Sequence, residues 1–221
     1  MGVPILILGQ SGSGKSTSLR NFEIEEVGVF NVASKPLPFK KKLNVMNKAT
    51  YGTITTALQR GKLKRYVIDD SQYLMAFGMF AKAKEAGYGK FTDIALDFYN
   101  LLKFITDGTP EDTVVYFLHH TETTEDGRVK AKTSGKMLDN QLTLEGLFSV
   151  VLLAETADGQ YRFRTQSDGC NPCKSPMGMF PLVIDNDLKH VDETIREYYN
   201  LNKEPDNNTN NNTTNDERKG A

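Results

Sequence analysis

The chain has 221 residues, with 27 Lys and Arg set against 28 Asp and Glu, for a formal net charge of −1. That length suits one domain of ordinary size with its own core, and the near-neutral balance excludes a global basic field, so any nucleic acid has to be met by local patches. The two cysteines, Cys170 and Cys173, exclude the disulfide framework of a small secreted protein, and no apolar run is long enough for a bilayer span or a signal-peptide core, so the expectation is a soluble, cytoplasmic protein without a membrane partner.

The first predicted element is VPILIL (residues 3–8), a β-branched and Leu run with the texture of a strand buried on both faces of a parallel sheet. It runs into GQSGSGKST, where Gly9, Gly14, Lys15 and Ser16 satisfy G-x-x-x-x-G-K-[ST]. Glycines let successive backbone N–H groups turn inward around a β-phosphate that a Cβ would crowd, and a helix start adds a partial positive charge. Lys15 then reaches the β- and γ-phosphates as a catalytic charge, and the Ser16 hydroxyl is a natural Mg2+ ligand. Gly9, Gln10, Ser11, Gly12, Ser13, Gly14, Lys15, Ser16 and Thr17 are therefore the expected cradle for a nucleotide with Mg2+. A plain Gly/Ser linker is the bland alternative, and the strand-loop-helix setting, with KSTSLRNF (15–22) as the helix, speaks against it.

VGVFNVA (27–33) reads as a second strand and RYVID (65–69) as a third, ending on Asp69 with Asp70 next. A carboxylate at the end of a buried strand can hold the metal of such a site through water, which makes Asp69 the metal candidate beside Ser16. Asp70 either orients or deprotonates the attacking water or simply caps a helix over residues 71–85, whose Met75, Phe77, Met79 and Phe80 are expected to pack a core rather than to stack bases. In 91–105, Ile94, Phe98, Leu101, Leu102 and Ile105 fall on one helical face. TVVYFL (113–118) is a further strand that runs into His119 and His120. Ligands gather at the carboxyl ends of parallel strands, so one of the two is expected to sense the γ-phosphate, with His119 as the catalytic candidate.

The stretch that follows is rich in Gly, Thr and charge and reads as a mobile loop, in which Arg128, Lys130, Lys132 and Lys136 are candidate contacts to single-stranded DNA or to a nucleotide held by a neighbouring subunit. A solvated loop fits the same residues, and KPLPFKKK and RGKLKR are further basic clusters of that ordinary kind. LFSVVLLA (147–154) is a strand, and the alternating QYRFRTQ (160–166) pairs antiparallel with it after the turn ADG. CNPC has zinc-like spacing without two further ligands, so it reads as a turn. A helix-like DETIREYYNL (192–201) precedes an Asn/Thr tail, 203–221, that has nothing to bury and is expected to be disordered. Strands alternating with amphipathic helices give an α/β domain over 1–202, a mostly parallel sheet flanked by helices on both faces.

FLHHTETTEDGRVKAKTSGKMLDNQLTLEGLFSVVLLAE, with GQSGSGKST, YVIDDSQYLM and KSPMGMF, resembles the phage-encoded ATP-binding proteins of the RecA-like P-loop group, some of which are associated with single-strand annealing and homologous recombination. The likeness covers roughly residues 2–200 and rests most specifically on the 119–152 block. It implies a RecA-like P-loop NTPase fold with the His119–His120 strand beside the cradle strand. It also implies ATP hydrolysis, a homo-oligomer, and action on single-stranded DNA in phage recombination or replication. In RecA-like proteins a catalytic Glu typically ends the strand after the first helix, whereas this chain has FNVASKPLPF there, which moves the base role toward Asp70 or toward weak hydrolysis. An ATP-binding interaction module with little turnover and a small-molecule or nucleotide kinase are the alternatives. Few arginines are present for a kinase lid, and a GTPase's Asn-Lys-x-Asp tetrad does not occur.

Overall fold

Strand β1 (Val3–Gly9) is the centre of the fold. Side chains alternate across a strand, and here Leu6 and Leu8 enter one core while Ile5 and Ile7 enter another, all four fully buried. The structure, a computed structural model, describes residues 1–134 and 143–202. Within them follow β2 (Gly28–Asn31), β3 (Asn44–Asn47), α1 (Tyr51–Arg60), β4 (Arg65–Asp69), α2 (Gln72–Ala81), α3 (Gly89–Gly108), β5 (Val114–Thr123), β6 (Val129–Ala131), β7 (Val150–Ala157), β8 (Gln160–Arg164), β9 (Val183–Asp185) and α4 (Leu188–Tyr198).

The strands form one mixed sheet in the order β3-β2-β4-β5-β1-β7-β8-β9, with β6 paired to β5. Pairings from β3 across to β7 are parallel, and those of β6, β8 and β9 are antiparallel. The expected α/β architecture, a mostly parallel sheet with helices on both faces, is what forms. Ile54 and Leu58 of α1, Leu74 and Met75 of α2, and the Ile94, Phe98, Leu101, Leu102, Ile105 stripe of α3 pack on the Leu6 side. Leu19, Phe22 and the α4 residues Leu188, Val191 and Ile195 pack on the Ile5 side. Among the described residues no helix is long and apolar enough to cross a membrane.

β5 lies between β1 and β4, so Asp69 ends a strand that is two places from the one carrying Gly9. Register sets the rest: Leu8 is opposite His119, Gly9 opposite His120, and Asn31 opposite Asp69. All of these residues therefore leave the sheet at one end. At the other end a buried network docks α4. Asp192 accepts from Tyr116 Oη at 2.9 Å and from Arg196 Nε at 2.8 Å, and pairs with Arg65, while Arg196 also donates to the carbonyls of Asp112 and Lys64 at 3.0 and 2.7 Å.

Several elements differ from expectation. The segment after the cradle is a short 3-10 helix, Ser16–Asn21. The helix expected over 71–85 stops at Ala81, and the one expected over 91–105 runs from Gly89 to Gly108. β5 continues past the histidines to Thr123 and forms a hairpin with β6, so Arg128 and Lys130 sit on or beside paired strands, where an unstructured loop was expected. β3 and α1 fill a region for which no element was expected. Residue Lys136 and the tail 203–221 lie outside the described residues.

Candidate functional site

The loop leaving β1 is shaped by two close approaches. A Cβ on Gly9 would stand 2.3 Å from Ser13 Oγ and 2.8 Å from the Ala154 carbonyl oxygen. Gly14 has φ +91°, and a Cβ there would meet the Tyr161 ring at 2.7 Å, so only glycine fits both the torsion and the space. Ser13 N–H donates back to the Gln10 carbonyl at 3.2 Å and Ser18 N–H to that of Gly14 at 3.0 Å. The amides of Gly12, Gly14 and Lys15 meet no acceptor among the described residues. A chain of free amides in a glycine-rich turn is an anion-binding concavity. Because the following helix is six residues of 3-10 type, those amides and Lys15 take the larger share of any such role.

Lys15 is 5% exposed. Its Nζ donates to the Gly9 carbonyl at 2.7 Å and the Gln10 carbonyl at 2.8 Å. Burial pushes the ammonium pKa down to about 8, with Asp70 and Asp69 opposing. Ser16 Oγ donates to Asp69 Oδ1 at 2.8 Å. Burial, aided by the Asp70 charge, holds the Asp69 carboxyl above the usual carboxylate range despite that hydrogen bond.

Asp70 adopts φ +60°, a left-handed torsion that Asp tolerates better than most side chains. Its Oδ2 accepts from Lys35 Nζ at 2.8 Å and its Oδ1 from His120 Nε2 at 3.1 Å. Burial works to raise the Asp70 carboxyl, but these two hydrogen bonds outweigh it and hold the group below its ordinary range. Asp69, Asp70, Lys15, Ser16, Lys35 and His120 meet around one cavity of about 280 Å³, with Tyr161 and Pro36 on its rim. A larger cavity, about 490 Å³, lies at the opposite end of the sheet beside Arg65 and Arg196. Its guanidinium groups are already engaged with Asp192 and backbone carbonyls.

The structure places the two histidines differently. His119 is fully buried, its Nε2–H donating to the Lys132 carbonyl at 2.8 Å and its Nδ1 2.8 Å from Ser71 Oγ. Burial lowers its pKa to about 4, against the Lys132 hydrogen bond, so it is a neutral core residue packed edge-on to Phe98. His120, in phase with Leu118 of the Ile5-side core, is the one that borders the cavity. Strand alternation allows only one of the pair to do so.

Arg128 pairs with Asp126 at 3.1 Å and Lys130 with Glu122 at 2.9 Å, and neither they nor Lys132 border the cavity. Lys35 and Tyr161 do border it, and sequence reasoning had not placed them there; for Lys35 the signal was KPLPFKKK directly after the second strand. Cys170 is exposed and Cys173 buried, with burial pushing the Cys173 thiol up to about 12. The segment is a turn, in which Asp168 and Asn171 side chains accept from the amides of Cys170 and Cys173 at 2.9 and 3.0 Å. Among the described residues no three His, Cys, Asp or Glu side chains cluster as a metal site.

The donor set that does exist is Ser16 Oγ with the Asp69 carboxylate, hard oxygens that suit Mg2+. That ion keeps several waters and takes its remaining contacts from phosphates rather than from an all-protein cage. No protein-family model matches the chain, and no curated protein matches it.

Proposed function

We propose that the chain is a Mg2+-dependent ATP-binding protein and ATPase, built on a RecA-like P-loop domain, that works on single-stranded DNA in phage recombination or replication as a homo-oligomer. The observation that carries the nucleotide reading is the Ser16–Asp69 contact at 2.8 Å beside the buried Lys15 and the free amides of the 9–17 loop. Arrival of the phosphates draws the Lys15 ammonium from two backbone carbonyls to a fuller negative charge. The amides of Gly12, Gly14 and Lys15 stabilise charge with no reorganisation at the moment of reaction. Ser16 and Asp69 would hold Mg2+, which when bound would supply charge neutralisation to the phosphates. Asp70 and His120, hydrogen-bonded to each other on the same cavity, are the pair able to orient water and accept its proton. The DNA and phage context rests on the sequence resemblance of the 119–152 block.

A second reading, an ATP-binding interaction module with little turnover, is favoured by the engagement of Asp70 with both Lys35 and His120 and by the amide of Asn31, in place of a carboxylate, at the tip of β2. Phosphate release measured with and without a single-stranded oligonucleotide separates the two. DNA-stimulated release supports the ATPase, nucleotide binding without release supports the module, and transfer to an added acceptor identifies a kinase. Absence of nucleotide binding overturns all three.

A further inference from the structure

β2 ends in Asn31, which is 2% exposed. Its Nδ2 donates to the Lys35 carbonyl at 2.6 Å and to Asn47 Oδ1 at 3.1 Å. The chain between turns through Ser34 at φ +56° and continues into Pro36, so the backbone of Lys35 is fixed from both sides. The side chain is not fixed in the same way. It is 59% exposed, with Nζ on Asp70 Oδ2 at 2.8 Å and 5.0 Å above the Tyr73 ring. A long solvated lysine on an anchored Cα is a movable point charge.

Among the described residues, Lys35 and Lys15 are the two ammonium groups on the 280 Å³ cavity, and they enter it from opposite sides of β4. They balance Asp69 and Asp70, so the charged groups sum to nothing until a ligand brings more. A terminal phosphate brings nearly two charges and three acceptor oxygens, against the single carboxylate oxygen that Lys35 now holds. Asp70 keeps the His120 hydrogen bond at 3.1 Å when Lys35 leaves, so the exchange strands no bare carboxylate.

We propose that Lys35 is the terminal-phosphate sensor of this site, resting on Asp70 when the site is empty or holds a diphosphate, and moving to the terminal phosphate of a triphosphate, which releases Asp70. Asn31 is the positioning residue that aims it. The inference rests on the nucleotide reading above and adds how the site tells substrate from product.

The test is calorimetric titration, with Mg2+, of ADP and of a non-hydrolysable ATP analogue into the wild type, Lys35→Gln and Lys35→Arg, each shown by thermal denaturation to be folded. Loss of one charge-assisted hydrogen bond predicts that Lys35→Gln weakens the triphosphate analogue by about tenfold or more and leaves ADP within about twofold, while Lys35→Arg keeps most of the preference. Equal weakening of both ligands, or no change in either, overturns the sensor and leaves the nucleotide site standing. A wild type that binds neither ligand overturns the nucleotide reading and the sensor with it.

Discussion

Ser16 Oγ lies 2.8 Å from Asp69 Oδ1, although the two residues are 53 positions apart and their strands are separated in the sheet by β5. Parallel strands that end at one level bring this about, since β1 and β4 both pair with β5 and the chain after Gly14 folds back over their ends. The contact joins a neutral hydroxyl to a carboxylate that burial already disfavours, an arrangement that a dication would relieve.

Asp69→Asn follows from that contact. The amide keeps the hydrogen bond and the volume but removes the charge, so the Mg2+ concentration needed for half-maximal nucleotide binding is expected to rise by about tenfold or more, the effect of one lost charge-assisted ligand. Folding should survive, because the carboxylate is held above its usual range and its removal lifts a desolvation cost. A Mg2+ titration of nucleotide binding checks this, and an unchanged midpoint places the metal elsewhere.

Lys15 gives a prediction in the absence of any ligand. Its pKa falls from 10.5 to about 8 on folding, so between those values the unfolded chain binds the extra proton and stability rises with pH. Below about pH 8 the burial cost is present in full, on the order of 3 kcal/mol. Lys15→Met is therefore expected to be more stable than the wild type at pH 7, by about 1–3 kcal/mol, and to lose nucleotide binding. Urea unfolding at pH 7 and pH 9.5 checks it: the gap between the two proteins should narrow at the higher pH.

His119 works in the opposite part of the pH range. Its pKa is about 4 in the fold against 6.5 outside, so from pH 6.5 downward the unfolded chain takes the proton and stability falls, by about 3 kcal/mol once pH 4 is reached. His119→Gln can retain a donor toward the Lys132 carbonyl and does not titrate. Comparing urea midpoints of variant and wild type at pH 7 and 4.5 should show a flatter acid limb in the variant; an equally steep limb would mean that His119 does not titrate as a buried neutral group.

The apolar runs of β1, β4, β5 and β7 and the α3 stripe were legible because strands buried on both faces and a helix packed on one face leave strong periodic signals. β3 left none, being an exposed edge strand, Asn44–Asn47. α1 was hidden by YGTITT, which looks β-prone, and only Ile54 and Leu58 are buried. Its Thr50–Thr53 capping box and left-handed Gly61 were the readable marks. In the site, Gly9, Lys15, Ser16 and Asp69 are local to a motif or a strand end. Lys35 became part of it only through pairing of β2 beside β4, a long-range fact that no spacing encodes. The choice of His120 over His119 was open to counting from Leu118, since side chains two apart share a face.

The last prediction concerns the end of the sheet opposite the site. Asp192 is 0% and Arg196 1% exposed, and Asp192 is the acceptor shared by Tyr116, Arg65 and Arg196. Asp192→Ala leaves a buried guanidinium without its counter-charge and a buried Tyr116 hydroxyl without its acceptor, which costs about 3–5 kcal/mol. Arg196→Met with Asp192→Leu removes the two fully buried charges and should cost less than the single change, because the guanidinium then left without Asp192 is that of Arg65, whose side chain is 27% exposed and can be met by water. Denaturant unfolding of the two variants decides it. A single variant as stable as the pair would mean that α4 is held by Leu188, Val191 and Ile195 alone. Because the network is at the far end of β4 from Asp69, nucleotide affinity of the folded variants is expected to stay at the wild-type value, which separates docking of α4 from the chemistry at the 9–17 loop.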